Sequence, residues 1–415
     1  MVTTLSGVDQ FAADATDALL HRSGGQVELS ASAMALARKP IWAIAHQALE
    51  LAGVKVDQYG DREAIAEAAM EMGNSTKRVQ FYSENEQARY IGAESAAARP
   101  GDFPNILSGL ANKYIDSIEL DDDYSFAEIS AVEPTPLKDF KPAMMINRGV
   151  VEELDELSDG EKLKDIGLSE EVLGYLFLRR FGNKFGWTPV MLANDDMGAF
   201  AEGMIGLKEA WQVTQNRLVL DRLIQNEQLM DGYNLFANRP DTGAGPIPAA
   251  NNNDRTAGLA PSDAEWGAMQ TLYGGIGGIG TGRRVRGTLN TVLTPTAGPV
   301  YQGAVRTFAT YPVAGESKVA TTTDTLGIYR GQVRIVPESE LSSIDVTAYY
   351  GFRKPTELRT ATIIRAYFNG YGEQGKRERW YDPETKTTYV SLEGRVAVGV
   401  KNWRYCVRNS GTGGT

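Results

Sequence analysis

Apolar residues recur at Phe200, Met204, Leu207, Trp211, Leu218, Leu223 and Ile224, close to the 3.6-residue period that lays one stripe along a helix. Thr214 and Asp221 interrupt the stripe. Its length predicts one long amphipathic helix, which begins where Asn194, Asp195 or Asp196 caps the first turn and where carboxylates suit the positive end of the helix dipole. Shorter helices are predicted elsewhere. Pro40 opens one over residues 41–51 that Gly53 stops, Asp61 caps another reaching Met72, Ser262 or Asp263 caps a third through Tyr273, and Gly298-Pro299 starts a fourth toward Phe308. Strand-like runs cover residues 172–185, 288–293, 333–337, 361–368 and 390–400, with Asp382-Pro383-Glu384-Thr385 as a turn between longer strands.

Between these elements the polar stretches have their own character. Residues 73–99 are polar and rich in small side chains without a period, as in an extended arm. Glu152, Glu153, Asp155, Glu156, Asp159 and Glu161 precede Lys162 and read as a solvated acidic loop. Residues 238–258 are an Asn-, Pro- and Gly-rich loop, and 409–415 a tail that stays disordered unless a neighbour holds it. After the 238–258 loop, helices alternating with strands over some hundred residues indicate a compact α/β domain.

Several segments, taken in order, resemble one family. They are Gly101-Asp102-Phe103-Pro104-Asn105-Ile106-Leu107, then Ala111-Asn112-Lys113, then Asp139-Phe140-Lys141-Pro142, and above all Asn194-Asp195-Asp196-Met197-Gly198-Ala199-Phe200. They resemble the capsid portion of the tailed-phage major head proteins that are often encoded fused to, or beside, a prohead protease. The resemblance extends more weakly to Leu36-Ala37-Arg38, Ala52-Gly53-Val54 and the C-terminal stretch from Arg395 to Arg404.

That resemblance implies an α+β subunit with the Hong Kong 97-like capsid fold: an N-terminal arm, an extended β-hairpin loop, a peripheral domain with a long spine helix, and an α/β axial domain. The expected segments are 1–99 for the arm with short helices, 100–149 for the entry to the peripheral domain, 150–190 for the extended loop, 191–232 for the spine helix, 233–355 for the axial domain, 356–408 for peripheral strands and 409–415 for the tail. It also implies self-assembly into hexamers and pentamers of an icosahedral virion shell around double-stranded DNA, with portal, scaffold or decoration proteins as further partners. Glu156, Asp159, Glu161, Lys162, Lys164 and Leu168 fall in the loop that reaches a neighbouring subunit. Asn194, Asp195, Asp196 and Phe200 mark the start of the spine helix. Some members join a loop lysine to an asparagine of a neighbour; Lys162, Lys164 and Asn402 are the residue types for such a cross-link, and non-covalent locking is the expectation here.

Composition adds constraints. With 415 residues, 42% of them hydrophobic, the chain can bury the cores of two or three domains. A formal charge of -11 opposes binding by phosphate neutralisation, whereas an acidic inner wall would not stick to packaged DNA. A lone Cys406 permits no intrachain disulfide and no cysteine-rich zinc site, and His21 and His46 leave little for histidine chemistry. There is no Gly-x-Ser-x-Gly elbow. No signal peptide and no apolar run long enough for a bilayer are evident, so a soluble protein made in the cytoplasm, with no membrane contact, is expected.

Three other features bear on chemistry. Gly275-x-Gly277-x-x-Gly280, followed by Arg283, Arg284 and Arg286, has the spacing of a phosphate loop, but helix-like sequence precedes it and strand-like sequence follows, the reverse of the order a dinucleotide site needs. Asp121, Asp122 and Asp123 with Glu119 lack the spacing of a calcium loop and read as a solvated turn. Trp187, Trp211, Trp266, Trp380 and Trp403, with Tyr349, Tyr350 and Tyr367, are not interleaved with a basic stripe and read as core and interface anchors. The expectation is therefore a capsid protein without catalysis, metal or cofactor. The alternatives are an encapsulin-like compartment of the same fold and a soluble nucleotide-binding α/β protein using residues 275–280.

Overall fold

A computed structural model of the protein describes residues 7–54, 62–72, 103–117, 124–149, 170–195, 197–240, 251–279, 284–309, 329–355, 358–382 and 384–411. In chain order the helices are α1 (Gly7–Arg22), α2 (Ala31–Ala37), α3 (Ile41–Leu51), α4 (Arg62–Glu71), α5 (Phe103–Ser117) and α6 (Phe126–Ile129). Strands β1 (Ser130–Val132), β2 (Ala143–Arg148), β3 (Glu170–Leu176) and β4 (Arg179–Trp187) follow, then α7 (Pro189–Ala193) and the long α8 (Met197–Ile224). Beyond the short β5 (Asn238–Arg239), β6 (Asn251–Asn252) and β7 (Asp254–Arg255) come α9 (Asp263–Gly275), β8 (Thr291–Pro295), α10 (Gly298–Phe308), β9 (Arg334–Glu338), α11 (Ser339–Ile344) and β10 (Tyr349–Phe352). The chain closes with β11 (Ile363–Tyr367), β12 (Lys376–Asp382), β13 (Thr387–Val400) and β14 (Cys406–Asn409).

The chain divides into two compact units, the first made of Met1–Asp122, Phe181–Gln212 and Gln374–Gly394. Its helices pack through small residues: Ala15, Ala18, Ala33, Ala45, Ala48, Ala66, Ala68 and Ala69 are buried beside Leu19, Ile41, Ile44 and Leu49. These helices are therefore an integral layer of the unit, where the sequence suggested an arm. Two side chains fix them to later segments. Tyr381 donates to Glu71 Oε1 at 3.2 Å, and Lys386 pairs with Glu67 at 2.8 Å.

Asp195 has a different job from the one its position suggested. It adopts a left-handed backbone with φ of 58°, between α7, whose C-cap is Asn194, and α8. Its carboxylate turns away from α8, accepting from the Ile41 N–H at 2.8 Å and from Arg22 Nη2 at 2.5 Å. The N-cap of α3 is Pro40, which has no side-chain oxygen, so Asp195 supplies across 154 positions of sequence the acceptor that a local Ser or Asp would supply. Phe200 is buried, edge-on to Trp187 at 4.6 Å, while Asp196 lies outside the described residues.

The second unit comprises Asp123–Arg180, Val213–Glu373 and Arg395–Thr415. One sheet runs in the order β7-β14-β10-β8-β9. Its helices α9 and α10 meet through Trp266 and Phe308, whose rings stand 5.0 Å apart. Ser262 caps α9 by accepting from Glu265 N at 3.2 Å, as expected from the sequence. Pro337 sits inside β9, which is tolerated because β9 is an edge strand. The strand β14 enters this sheet from the far end of the chain, so the sheet is not confined to residues 233–355. Asn409, predicted to open a loose tail, is instead fully buried opposite Tyr349.

Also in this unit, β11 pairs with β1 in parallel and with the second half of β13 in antiparallel register, from Ile363↔Val400 to Tyr367↔Val396. The buried side of α8 passes through Phe200, Met204, Leu207 and Trp211, then continues through Gln215, Asn216, Val219, Leu220 and Leu223, leaving Leu218 half-buried. The two polar members are held by partners of their own unit. Gln215 Oε1 accepts from Arg365 Nη1 at 3.3 Å and from the Tyr367 hydroxyl at 2.5 Å, and Asn216 Nδ2 donates to Glu338 Oε2 at 3.0 Å. A buried polar group is tolerable when bonded in this way.

Candidate inter-subunit surface

Strands β2 and β3 form an antiparallel pair from Ala143↔Leu176 to Arg148↔Glu170, with no third strand among the described residues. A bare two-stranded hairpin is marginal in water, so its two faces decide what it does. One face is inward. Met145, Leu176 and Leu178 join Ala361, Ile364, Ala366 and Ala397 in one core cluster. Gly399 permits the approach, because a Cβ there would stand 2.9 Å from Met145 Cε and 3.0 Å from Leu176 Cδ2. The register shifts between Met145 and Ile146, leaving Leu173 unopposed, and the Leu173 carbonyl accepts from Met230 N–H at 3.1 Å.

The other face is apolar and exposed. Met144 is 53% exposed, Ile146 43%, Tyr175 37% and Phe177 55%, with Met144 directly opposite Tyr175. The Tyr175 and Phe177 rings are 6.5 Å apart. Side chains of this size are buried when a partner exists, each contributing about 1.5–3 kcal/mol. Contiguous apolar surface on a strand pair marks an interaction site.

Of the loop residues singled out in the sequence, Glu156, Asp159, Glu161, Lys162, Lys164 and Leu168 lie outside the described residues, on the connection between β2 and β3. The described arms of that connection are residues 143–148 and 170–176, whereas β4, placed in the same predicted segment, pairs with β13. Asn402 is buried, and its side-chain oxygen accepts from Arg404 N at 3.1 Å to cap the short 3-10 turn Trp403–Tyr405. Its side-chain oxygen is thus engaged within its own fold. Next to it, burial holds the Lys401 ammonium below the ordinary lysine range, with Glu133 opposing that shift.

The glycine cluster is packed where it is described. Gly275 ends α9, and the Gly277 N–H donates to Asn251 Oδ1 at 2.9 Å while its carbonyl accepts from Arg404 Nε at 3.0 Å. The backbone donor that a phosphate would use at Gly277 is taken; Gly280 and Arg283 lie outside the described residues. So do Glu119, Asp121, Asp122 and Asp123, and among the described residues no group of three or more His, Cys, Asp or Glu could hold a metal ion. Cys406 is fully buried, which pushes its thiol up to about 12. Trp187, Trp211, Trp266 and Trp403 are buried, as are Tyr349, Tyr350 and Tyr367. Among the described residues no helix is long and apolar enough to cross a membrane.

The sequence profile of the phage capsid proteins matches residues 175–409, from near the end of β3 to the end of β14. That is more than half of the 415 residues, and the chain belongs to the phage capsid protein family. No curated protein matches its sequence. Similar solved structures include the capsid of Myoviridae phage XM1, at 10% identity and a TM-score of 0.40 over 71% of this chain and 94% of that one. The capsid of cyanophage P-SCSP1u has 10% identity and a TM-score of 0.45 over 71% and 89%. The procapsid of bacteriophage JBD30 has 12% identity and a TM-score of 0.38 over 74% and 75%. Family membership rests on the sequence match.

Proposed function

We propose that this protein is a major capsid protein whose copies associate into hexamers and pentamers and close an icosahedral phage head around double-stranded DNA. The subunit is read as a Hong Kong 97-like fold, with α8 as its spine helix and the β2–β3 pair as the base of its extended loop. One observation carries the reading beyond family membership: Met144, Ile146, Tyr175 and Phe177 stand exposed on a strand pair whose opposite face is already anchored. The occupant of that face is a second copy of the chain. A shell repeats one contact many times, so a modest contribution at each copy sums to a stable container.

The role is structural rather than catalytic, and its place is the virion. The net charge of -11 suits a wall that contains DNA without reading its sequence. Portal, scaffold and decoration proteins are the further partners such a shell takes. Electron microscopy of the purified protein over a range of concentration and salt tests the reading. Shells, rings or tubes support it, and a persistent monomer, even with a portal or scaffold partner supplied, overturns it. Shortening residues 156–168 should leave soluble subunits that fail to make stable shells; normal particles would refute the loop assignment.

A further inference from the structure

Arg404 gathers partners from separate parts of the second unit. Its side chain is buried, with Nη1 at 2.5 Å from Glu171 Oε2, Nη2 at 3.2 Å from Glu171 Oε1, and Nε at 3.0 Å from the Gly277 carbonyl. The guanidinium also lies 4.6 Å from the centre of the Trp403 ring. A bidentate pair with a third bond and a stacked ring fixes a guanidinium in position and plane, which a lysine cannot reproduce. Gly277 is itself held on its other side by Asn251, so the anchor is rigid.

The placement of Glu171 gives this arrangement its leverage. Glu171 lies opposite Asn147, at the end of the strand pair that leads into the connection over residues 149–169. Asn147 Nδ2 donates to the Lys401 carbonyl at the same end. The other end of the pair, at Ala143 and Leu176, is held by apolar packing that has no preferred direction. The exposed Arg148–Glu170 pair links only the two strands to each other. Apart from the Met230 N–H bond to the Leu173 carbonyl at mid-strand, the polar contacts that tie this pair to the rest of the unit are those of Glu171 and Asn147, among the described residues.

We propose that Arg404 is a positioning residue for assembly. Fixed on the Gly277 carbonyl, it holds Glu171 and so sets the angle at which the β2–β3 pair offers Met144, Ile146, Tyr175 and Phe177 to the next copy. The glycine cluster thereby acts as the seat of this pin. The inference rests on the reading that a second copy occupies that face.

Hydrogen exchange on the unassembled full-length subunit separates this role from plain stabilisation, because local opening and global unfolding expose different amides. The variants are Arg404→Ala, Arg404→Lys and Glu171→Gln, the last removing the charge while keeping shape if the alanine variant fails to fold. Amides of residues 143–148 and 170–176 should exchange at least about tenfold faster in Arg404→Ala and Glu171→Gln, while residues 363–367 and 396–400 keep their protection. Arg404→Lys should fall between. Under assembly conditions the same two variants should give at least about tenfold fewer regular shells. Hairpin amides protected as in the wild type, or exchange accelerated equally throughout the unit, would overturn the proposal. A wild-type protein that forms no particles would defeat the capsid reading instead, and the exchange measurement would still report on the pin.

Discussion

Two strand pairs in this molecule share a plan and differ in what covers them. The β12–β13 pair is antiparallel from Lys376↔Glu393 to Asp382↔Thr387, and its outward side carries Lys376 and Glu378, which pair at 2.7 Å. Its one large exposed ring, Trp380, stacks on Tyr389 with centroids 5.4 Å apart, and Lys184 Nζ sits 4.1 Å over the Tyr389 ring. Gly186 makes room, since a Cβ there would come within 2.7 Å of Tyr389 Cε1. The chain thus finishes this surface itself. On the β2–β3 pair the corresponding positions are Met144, Ile146 and Tyr175, all three exposed. The difference teaches where a partner is needed: the outward side of one pair sets charges around a single stacked ring, whereas the other gathers four exposed apolar side chains with no charge among them.

The largest effect should come from making the open pair resemble the finished one. Tyr175→Asp with Phe177→Asp should abolish shells at concentrations where the wild type assembles. Each replaced side chain forfeits about 1.5–3 kcal/mol of burial in the assembled state, and each carboxylate adds a desolvation cost. The folded subunit should change by no more than about 0.5 kcal/mol, since both positions are exposed in it. Particle counts by electron microscopy beside urea unfolding of the subunit check both halves. Shells of normal yield would remove the docking role of this face.

Substitution on the inner side should act on folding instead. Gly399→Val places atoms where Met145 Cε and Leu176 Cδ2 already stand, at 2.9 and 3.0 Å from the new Cβ. Overpacking of this kind costs about 1–3 kcal/mol, and the expected readout is a lower urea midpoint with the hairpin amides exchanging first. An unchanged midpoint would mean the pair rests on the sheet more loosely than its packing implies.

Asp195→Ala tests a link inside the first unit. It removes the acceptor for Ile41 N–H and the partner of Arg22, at a cost of about 1–2 kcal/mol. Protection should fall at the start of α3, with little change at the start of α8. The reverse pattern would restore Asp195 as a cap for α8.

How much of this was legible beforehand follows from the kind of contact involved. The stops and starts of α3, α9 and α10 could be read because Pro40, Ser262 and Gly298-Pro299 act on their own neighbours. The long helix was legible from its stripe, but the turn through Gln215 and Asn216 was not, because polar residues look like the wet side until Arg365, Tyr367 and Glu338 are known to meet them. Asp195 stood with Asn194 and Asp196 as one of three candidate local caps because sequence shows only local acceptors. The open face was hidden for a different reason. Alternation marks a strand only when its two sides differ, and Ala143-Met144-Met145-Ile146 is apolar on both. The loop residues Glu156 to Leu168 drew notice through their charge, while the apolar residues that would do the docking stood at either end of the described strands.

Burial separates the reactivity of Cys406 from that of any exposed thiol, and here the expected outcome is near zero while the fold holds. Its thiol is pushed up to about 12 by burial, against about 8.5 for an unfolded chain. The folded state therefore keeps the proton that the unfolded state gives up, so this group's contribution to stability is full below about pH 8.5 and diminishes as the pH rises beyond it. Iodoacetamide at pH 8 should leave the native subunit unmodified and label it promptly in urea. Neither Tyr175→Asp with Phe177→Asp nor Arg404→Ala should change native labelling, since the first lies on an open surface and the second acts on the angle of one strand pair. Labelling of the native Arg404→Ala subunit would mean that Arg404 holds the β14 core as well as the hairpin.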